Sequence, residues 1–227
     1  MIGVWGKLFY WFSWTIIKVL TTVLFRLRID GARHVPRRGS LLVACNHISH
    51  LDPPLVGVAC PRMVFHMAKK ELFSVKLLEW FMNQIGTIMV HRGQGKQALV
   101  DAEARLNQGA CVVIFPEGTR SMTGQLGKGH SGAIVLAVRT GCQIQPAAII
   151  GSEKAMAKGT KRIRFVRITV RFGEPYSLPR VEGGTIPRDL LEIECVKLMA
   201  KIEALLPEQM RPTADQKLQW YGRYAIL

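Results

Sequence analysis

Apolar residues crowd the first thirty positions of the chain and then break into short runs separated by polar, glycine-bearing stretches. Within the opening segment Lys7, Trp11, Trp14, Lys18 and the pair Thr21 and Thr22 recur at steps of three and four. On a helix they form one stripe, and the remaining faces are nearly all Leu, Phe, Ile and Val. Downstream, short apolar runs predict strands over 41–45, 63–68, 86–90, 111–115, 143–149 and 164–172. Helical spacing predicts helices over 54–59, 75–84, 95–107, 132–139 and 188–205. Such alternation implies an α/β fold, a mostly parallel sheet flanked by helices. The run over 164–172 differs, because Val166, Ile168, Val170 and Phe172 fall on one face while Arg167, Thr169 and Arg171 fall on the other. That is the pattern of a half-exposed strand near a sheet edge.

The length of the opening segment bears on how it meets a bilayer. Positions 8–25 are barely enough to cross about 30 Å of hydrocarbon, and Lys18 lies inside them. A stripe of Lys and Trp suits a helix lying in the interface, with ammonium groups on lipid phosphate and indoles at headgroup depth. The expectation is an N-terminal membrane-associated helical segment over 1–30, monotopic rather than spanning, followed by one domain over 31–227. The alternative is a helix packed on the protein's own core. No small-residue cleavage pattern follows the run, which argues against a signal peptide. If the helix did span, the following Arg26, Arg28, Arg33, Arg37 and Arg38 would put the domain on the cytoplasmic face of the inner membrane.

Thirty-one Lys and Arg against sixteen Asp and Glu leave a net charge of +15. The resulting field attracts anions, whether nucleic acid, anionic lipid or a phosphorylated substrate. Nucleic acid fits worst, since the charge is spread along the chain without an aromatic RNA-binding motif or a recognition-helix pattern. Cys45, Cys60, Cys111, Cys142 and Cys195 stand far apart in apolar surroundings with no C-x-x-C pair. They read as reduced packing residues facing a cytosolic compartment, and neither a metal nor a cofactor is expected.

Candidate chemistry begins where the strand over 41–45 ends. LLVACNHISHLDPP, residues 41–54, delivers Asn46 and His47 to the carboxyl edge of the sheet, where α/β proteins bind ligands. His47 and Asp52 are five residues apart, about 500° of rotation on a regular helix, so they meet only if the chain turns between them. Should it turn, the carboxylate holds one ring N–H and leaves the other nitrogen as an acceptor, which makes a general base. Asp52 followed by Pro53 and Pro54 also reads as a helix N-cap that needs no catalysis, and this segment alone leaves both readings open. A second stretch, VVIFPEGTRSMTGQLGKGHSG over 112–132, ends a strand in a loop carrying Glu117, Gly118, Thr119, Arg120 and Ser121, with Lys128 close behind. Glycine lets the backbone approach a ligand, Arg120 offers a fork and Lys128 a point charge, all suited to phosphate. A third, IGTIMVHRG, ends in His91 and Arg92. If the three loops share one sheet edge, a base and two or three cations line a pocket fit for a phosphorylated alcohol.

Over nearly its whole length the sequence resembles the 1-acylglycerol-3-phosphate acyltransferases, the lysophosphatidic acid acyltransferase family, and so implies a glycerolipid acyltransferase fold. That family's histidine and aspartate with four residues between them match His47 and Asp52, and its F-P-E-G-T-R-S motif matches Phe115 to Ser121 unchanged. GTIMVHR, Gly86 to Arg92, is similar to its second motif, and Pro146 in IQPAAI to its fourth. HMAKKELF is similar to the stretch between the first two motifs, which adds Lys70 as a further contact. The resemblance implies transfer of a fatty acyl group from coenzyme A or acyl carrier protein to the free sn-2 hydroxyl of lysophosphatidic acid, giving phosphatidic acid in phospholipid biosynthesis. Membrane lipids are then both surroundings and substrate.

It also implies roles. His47 acts as general base with Asp52 holding its ring, and Arg120 binds the acceptor phosphate with help from Arg92 and Lys128. Glu117 accepts hydrogen bonds from the acceptor or orients Arg120, and Gly118 admits close backbone approach in a loop shared with Thr119 and Ser121. With no G-x-S-x-G elbow in the sequence, direct attack is expected rather than an acyl-enzyme. His50 stands outside the motif and is the lesser candidate for the base. Two rival readings remain: a different acceptor, such as glycerol 3-phosphate, another lysophospholipid or a lipoamino acid, and a non-catalytic basic protein on membrane or nucleic acid.

Overall fold

Leu41, Leu42, Val43, Ala44 and Cys45 are all fully buried, so this run has no polar face and needs cover on both sides. Its surroundings come from a computed structural model, which describes residues 3–91, 95–156, 162–181 and 185–225. The first half of the chain runs α1 (Val4–Phe25), β1 (Arg28–Asp30), β2 (Leu41–Cys45), α2 (Asp52–Ala59), β3 (Val64–Phe65), β4 (Met67–Lys69), α3 (Lys76–Gln84), β5 (Ile88–Val90) and α4 (Gly95–Asn107). The second runs β6 (Cys111–Ile114), α5 (Gly132–Thr140), β7 (Gln143–Ile150), α6 (Ser152–Ala155), β8 (Thr169–Phe172), α7 (Arg188–Leu205) and α8 (Ala214–Tyr221).

The main sheet has the order β1-β8-β7-β2-β6-β3 and is parallel except between β7 and β8. This is the expected α/β architecture, a mostly parallel sheet with helices on both faces. On one face Leu42, Ala44, Val112 and Ile144 pack against Leu106, Ile134 and Leu198 of α4, α5 and α7. On the other Leu41, Val43 and Val113 pack against Leu55, Val56 and Ala59 of α2 and against Phe25 at the end of α1.

Two expectations change. The run over 63–68 divides at His66: β3 joins the main sheet, while β4 pairs with β5 in a separate two-stranded sheet. The loop after β5 therefore leaves a different sheet from those after β2 and β6. The strand over 164–172 shortens to Thr169–Phe172. It lies next to the edge, as expected, with β1 outside it, and before it Ile168 donates its N–H to Phe25 O and accepts from Arg28 N–H, both at 2.9 Å.

The stripe on α1 divides: Trp14, Lys18 and Thr21 turn inward while Lys7, Trp11 and Thr22 stay exposed. Trp14 donates its indole N–H to Gly57 O at 3.1 Å, and Tyr10 Oη accepts the Val64 N–H at 3.0 Å. Lys18 Nζ lies 4.2 Å from the centre of the Trp14 ring, and Ser13, Thr21 and Phe25 are buried. The polar atoms of Trp14, Lys18 and Thr21 find protein partners, and the helix keeps an apolar side outward: Trp5, Phe12, Val19 and Val23 are all exposed. By length and composition α1 could cross a membrane. At the other end of the chain α8 docks rather than dangles, since Tyr221 Oη accepts the Gly129 N–H at 2.9 Å.

Candidate active site

The site forms where β2 and its two neighbours, β6 and β7, release the chain at their carboxyl ends. Asn46 ends β2 by imitating a strand partner: its amide donates to Ile149 O at 3.0 Å and accepts from Ile149 N–H at 2.7 Å. It is fully buried, so both bonds are made in a water-free setting and hold the exit of β2 against β7. From there the chain turns instead of starting a helix, and the turn brings His47 and Asp52 together. Nδ1 of His47 lies 2.8 Å from Oδ2 of Asp52.

Asp52 is fully buried and every partner it has is a donor. Its Oδ2 also accepts from the N–H groups of Ile48 and Ser49, each at 2.7 Å, and its Oδ1 accepts from the Ser152 hydroxyl at 2.6 Å. Leu51, not Asp52, is the cap of α2, and Asp52 is its first helical residue. The carboxylate serves the preceding turn, so the capping reading gives way to the orienting one. With Nδ1–H donated to the carboxylate, Nε2 is the acceptor nitrogen. The ring keeps 18% of its side chain exposed and stacks on Phe115, centroids 4.2 Å apart and planes 21° apart.

Glu117 ties this turn to the loop after β6. One carboxylate oxygen accepts the His47 N–H at 2.7 Å and the other accepts the Gly127 N–H at 2.8 Å. The side chain is 5% exposed and braces two loops, so it is buried rather than open to a ligand. Gly127 leaves the room: a Cβ there would stand 2.8 Å from Oε2 of Glu117. Burial pushes the Glu117 pKa up from 4.5 to about 7, against the two backbone donors that pull it down. The folded state then holds a proton that the unfolded chain has released, so this stability is whole below the unfolded value and lost as pH rises through about 7. At 1.36 kcal/mol per unit the loss is roughly 3 kcal/mol. Glu117→Gln is expected to abolish this part of the pH dependence, which denaturant titrations of both proteins at about pH 5 and pH 8 would check.

The remaining candidates spread around the same rim. Gly118 adopts φ +66° and closes a turn by donating to Phe115 O at 2.9 Å, and it is exposed together with Thr119. Ser121 donates its N–H to His47 O at 2.7 Å, while its hydroxyl accepts from Gly124 N–H at 3.1 Å. Arg120 is half-buried and lies close enough to act on His50, whose pKa is lowered first by desolvation and then by the charges of Arg120 and His47. Lys69 acts on His50 in the same sense, and Lys69 and Lys70 are both exposed. Lys128 is exposed beside the buried Gly129, and Arg92 lies outside the described residues. Asn46, Ser152 and Gly127 were not legible as site residues, because their partners are reached only through the folded chain. Among the described residues no group of three or more His, Cys, Asp or Glu could hold a metal ion.

A sequence model of the acyltransferase family matches residues 26–150, from β1 through the turn of His47 and the loop of Arg120 to the end of β7. The chain belongs to the acyltransferase family. A 1-acyl-sn-glycerol-3-phosphate acyltransferase of Cocos nucifera is 31% identical over 201 residues, 87% of this acyltransferase and 63% of that protein. The lyso-ornithine lipid O-acyltransferase of Pseudomonas aeruginosa is 31% identical over 138 residues, 60% of this chain and 52% of its own. The acyltransferase spans about half the length of several curated relatives it matches. Its fold is shared with the crystal structure of the 1-acyl-sn-glycerophosphate (LPA) acyltransferase PlsC from Thermotoga maritima, with a TM-score of 0.67, 20% identity, and coverage of 88% of this chain and 83% of that one.

Proposed function

We propose that this acyltransferase transfers a fatty acyl group from the thioester of coenzyme A or acyl carrier protein to the sn-2 hydroxyl of lysophosphatidic acid, yielding phosphatidic acid at the cytoplasmic face of the membrane. The observation that carries the reading is the His47–Asp52 contact at 2.8 Å, which leaves Nε2 as acceptor, with Arg120 and His47 both close enough to act on His50. Nε2 takes the hydroxyl proton as the acceptor oxygen bonds to the thioester carbonyl carbon. The tetrahedral intermediate then expels the thiolate, which takes that proton from the imidazolium. Asp52 stabilises the imidazolium throughout, and no acyl-enzyme and no metal are needed. Remaining at the leaflet spares the lipid chains a transfer through water, about 0.8 kcal/mol per CH₂.

Arg120 anchors the acceptor phosphate, assisted by Lys128 and Arg92. Arg120→Ala is expected to raise KM for lysophosphatidic acid about 10- to 100-fold with a much smaller change in kcat, because a charged hydrogen bond contributes roughly 1.5–3 kcal/mol. The Pseudomonas relative's name supports a second reading, acylation of a lyso-ornithine lipid. That headgroup has no phosphate, so its KM should respond little to Arg120→Ala. Purified protein assayed with both lysolipids and with glycerol 3-phosphate, each with both donor types, separates the readings. Absence of thioester-dependent acylation of every acceptor would remove the proposal.

A further inference from the structure

The apolar side that α1 turns outward continues beyond the helix. On α3, Leu77 and Trp80 are 75% and 51% exposed and, three residues apart, share one helical face. Trp80 is held to α1 through Phe9, whose ring meets it edge-on at 5.1 Å and meets Phe81 at 5.8 Å. At the opposite end of α1, Phe25 faces Phe165 at 6.1 Å, and Phe165 and Ile163 are themselves 68% and 49% exposed. Outside these segments and Val75 at the head of α3, the large apolar side chains exposed among the described residues are Val100, Met122 and Leu218. Exposed cations border the surface at both ends, Lys7 and Lys76 near α3, Arg26 and Arg164 near Phe165. A water-facing surface seldom gathers its apolar side chains this way, whereas indoles bordered by cations suit an anionic lipid interface.

The position of the two flanking segments sets the orientation. With 22 residues α1 is about 33 Å long, so Phe9 and Phe25 lie about 24 Å apart along it. Upright, the helix would bring one flank to the leaflet and leave the other in water. Lying in the plane, it brings both to the same leaflet. Beneath it α2 is fastened by the Trp14–Gly57 bond, and Asp52 stands five residues, about 7.5 Å, from Gly57. That keeps the catalytic turn near the lipid surface.

We propose that α1, the outer face of α3 and the 163–165 strap form a single contact surface on which the protein lies flat against one anionic leaflet. This rests on the membrane association in the functional reading. All five native cysteines are buried, so a new surface cysteine can be labelled selectively with an environment-sensitive fluorophore. The sites are Trp5→Cys, Phe12→Cys and Val23→Cys on α1, Leu77→Cys on α3, Ile163→Cys on the strap, and Arg188→Cys, on the exposed side of α7, as control. With vesicles of phosphatidylethanolamine and phosphatidylglycerol, the first five labels should shift to the blue and be quenched alike by a shallow nitroxide lipid, with the control unchanged. Response at the α1 sites without Leu77→Cys and Ile163→Cys would overturn the shared surface while leaving membrane binding intact. Deep quenching at position 12 with water-like labels at 5 and 23 would overturn the flat orientation. Loss of response at every site would overturn membrane association as well. A blue shift without vesicles on raising protein concentration would assign the face to a second copy of the chain and overturn the proposal. Unlabelled Leu77→Ser and Ile163→Ser should each weaken vesicle partitioning about tenfold, an outcome independent of labelling.

Discussion

Replacing His47 with alanine is expected to lower kcat by about 10²–10⁴ while the protein stays folded and KM for the lysolipid stays near its original value. The fold survives because the turn does not depend on the imidazole. The His47 N–H still reaches Glu117, its carbonyl still accepts from Ser121, and Asp52 keeps the Ile48 and Ser49 N–H groups and the Ser152 hydroxyl. Loss of the stack on Phe115 costs roughly 0.5–1.5 kcal/mol, visible as a small fall in Tm. KM holds because the proposed phosphate anchor is a different side chain. His50→Ala is the control: that ring is exposed and Asp52's carboxylate is already occupied by His47 and three other donors, so its loss should leave kcat almost unchanged. Steady-state kinetics of the two variants beside thermal melts would check this, and acyl transfer retained by His47→Ala would contradict the mechanism.

The elements legible in the sequence are those whose periodicity and burial agree. The limits of β2, α4 and α7 coincide with expectation because each is a run whose apolar spacing is matched by what covers it. The His47–Asp52 pairing was legible as a pair that could meet if the chain turned. What makes it turn was not, since Asn46 acts on Ile149, 103 positions away, and Glu117 acts on the His47 backbone from 70 away. Sheet membership was equally hidden: a short apolar run such as Ile88–Val90 looks the same whether it pairs in the main sheet or with β4. On α1 the stripe was visible but its direction was not. Trp14 can face headgroups or protein, and Gly57 O, distant in sequence, supplies the partner that turns it inward, as the Val64 N–H does for the neighbouring Tyr10.

Asp52→Asn is expected to lower kcat by about 10³–10⁴ with only a small change in Tm, and the reason lies in Ser152. The asparagine oxygen can take the place of Oδ2, accepting from His47 Nδ1 and from the Ile48 and Ser49 N–H groups. Its NH₂ then occupies the place of Oδ1, where the Ser152 hydroxyl can rotate from donor to acceptor. Geometry is conserved and the negative charge is lost, so the imidazolium formed during attack has nothing to neutralise it. Asp52→Ala instead leaves buried donors unsatisfied, at about 1–3 kcal/mol each, and should unfold readily. Ser152→Ala alone removes one of four donors to a carboxylate and should reduce kcat only slightly. In the Asp52→Asn background the same change strands a buried NH₂, so the double variant should be less stable than the sum of the single losses, a coupling readable from a cycle of four melts. A collapse of Tm in Asp52→Asn, or additive losses in the cycle, would show that Ser152 does not exchange roles and that the carboxylate is needed for structure rather than for charge.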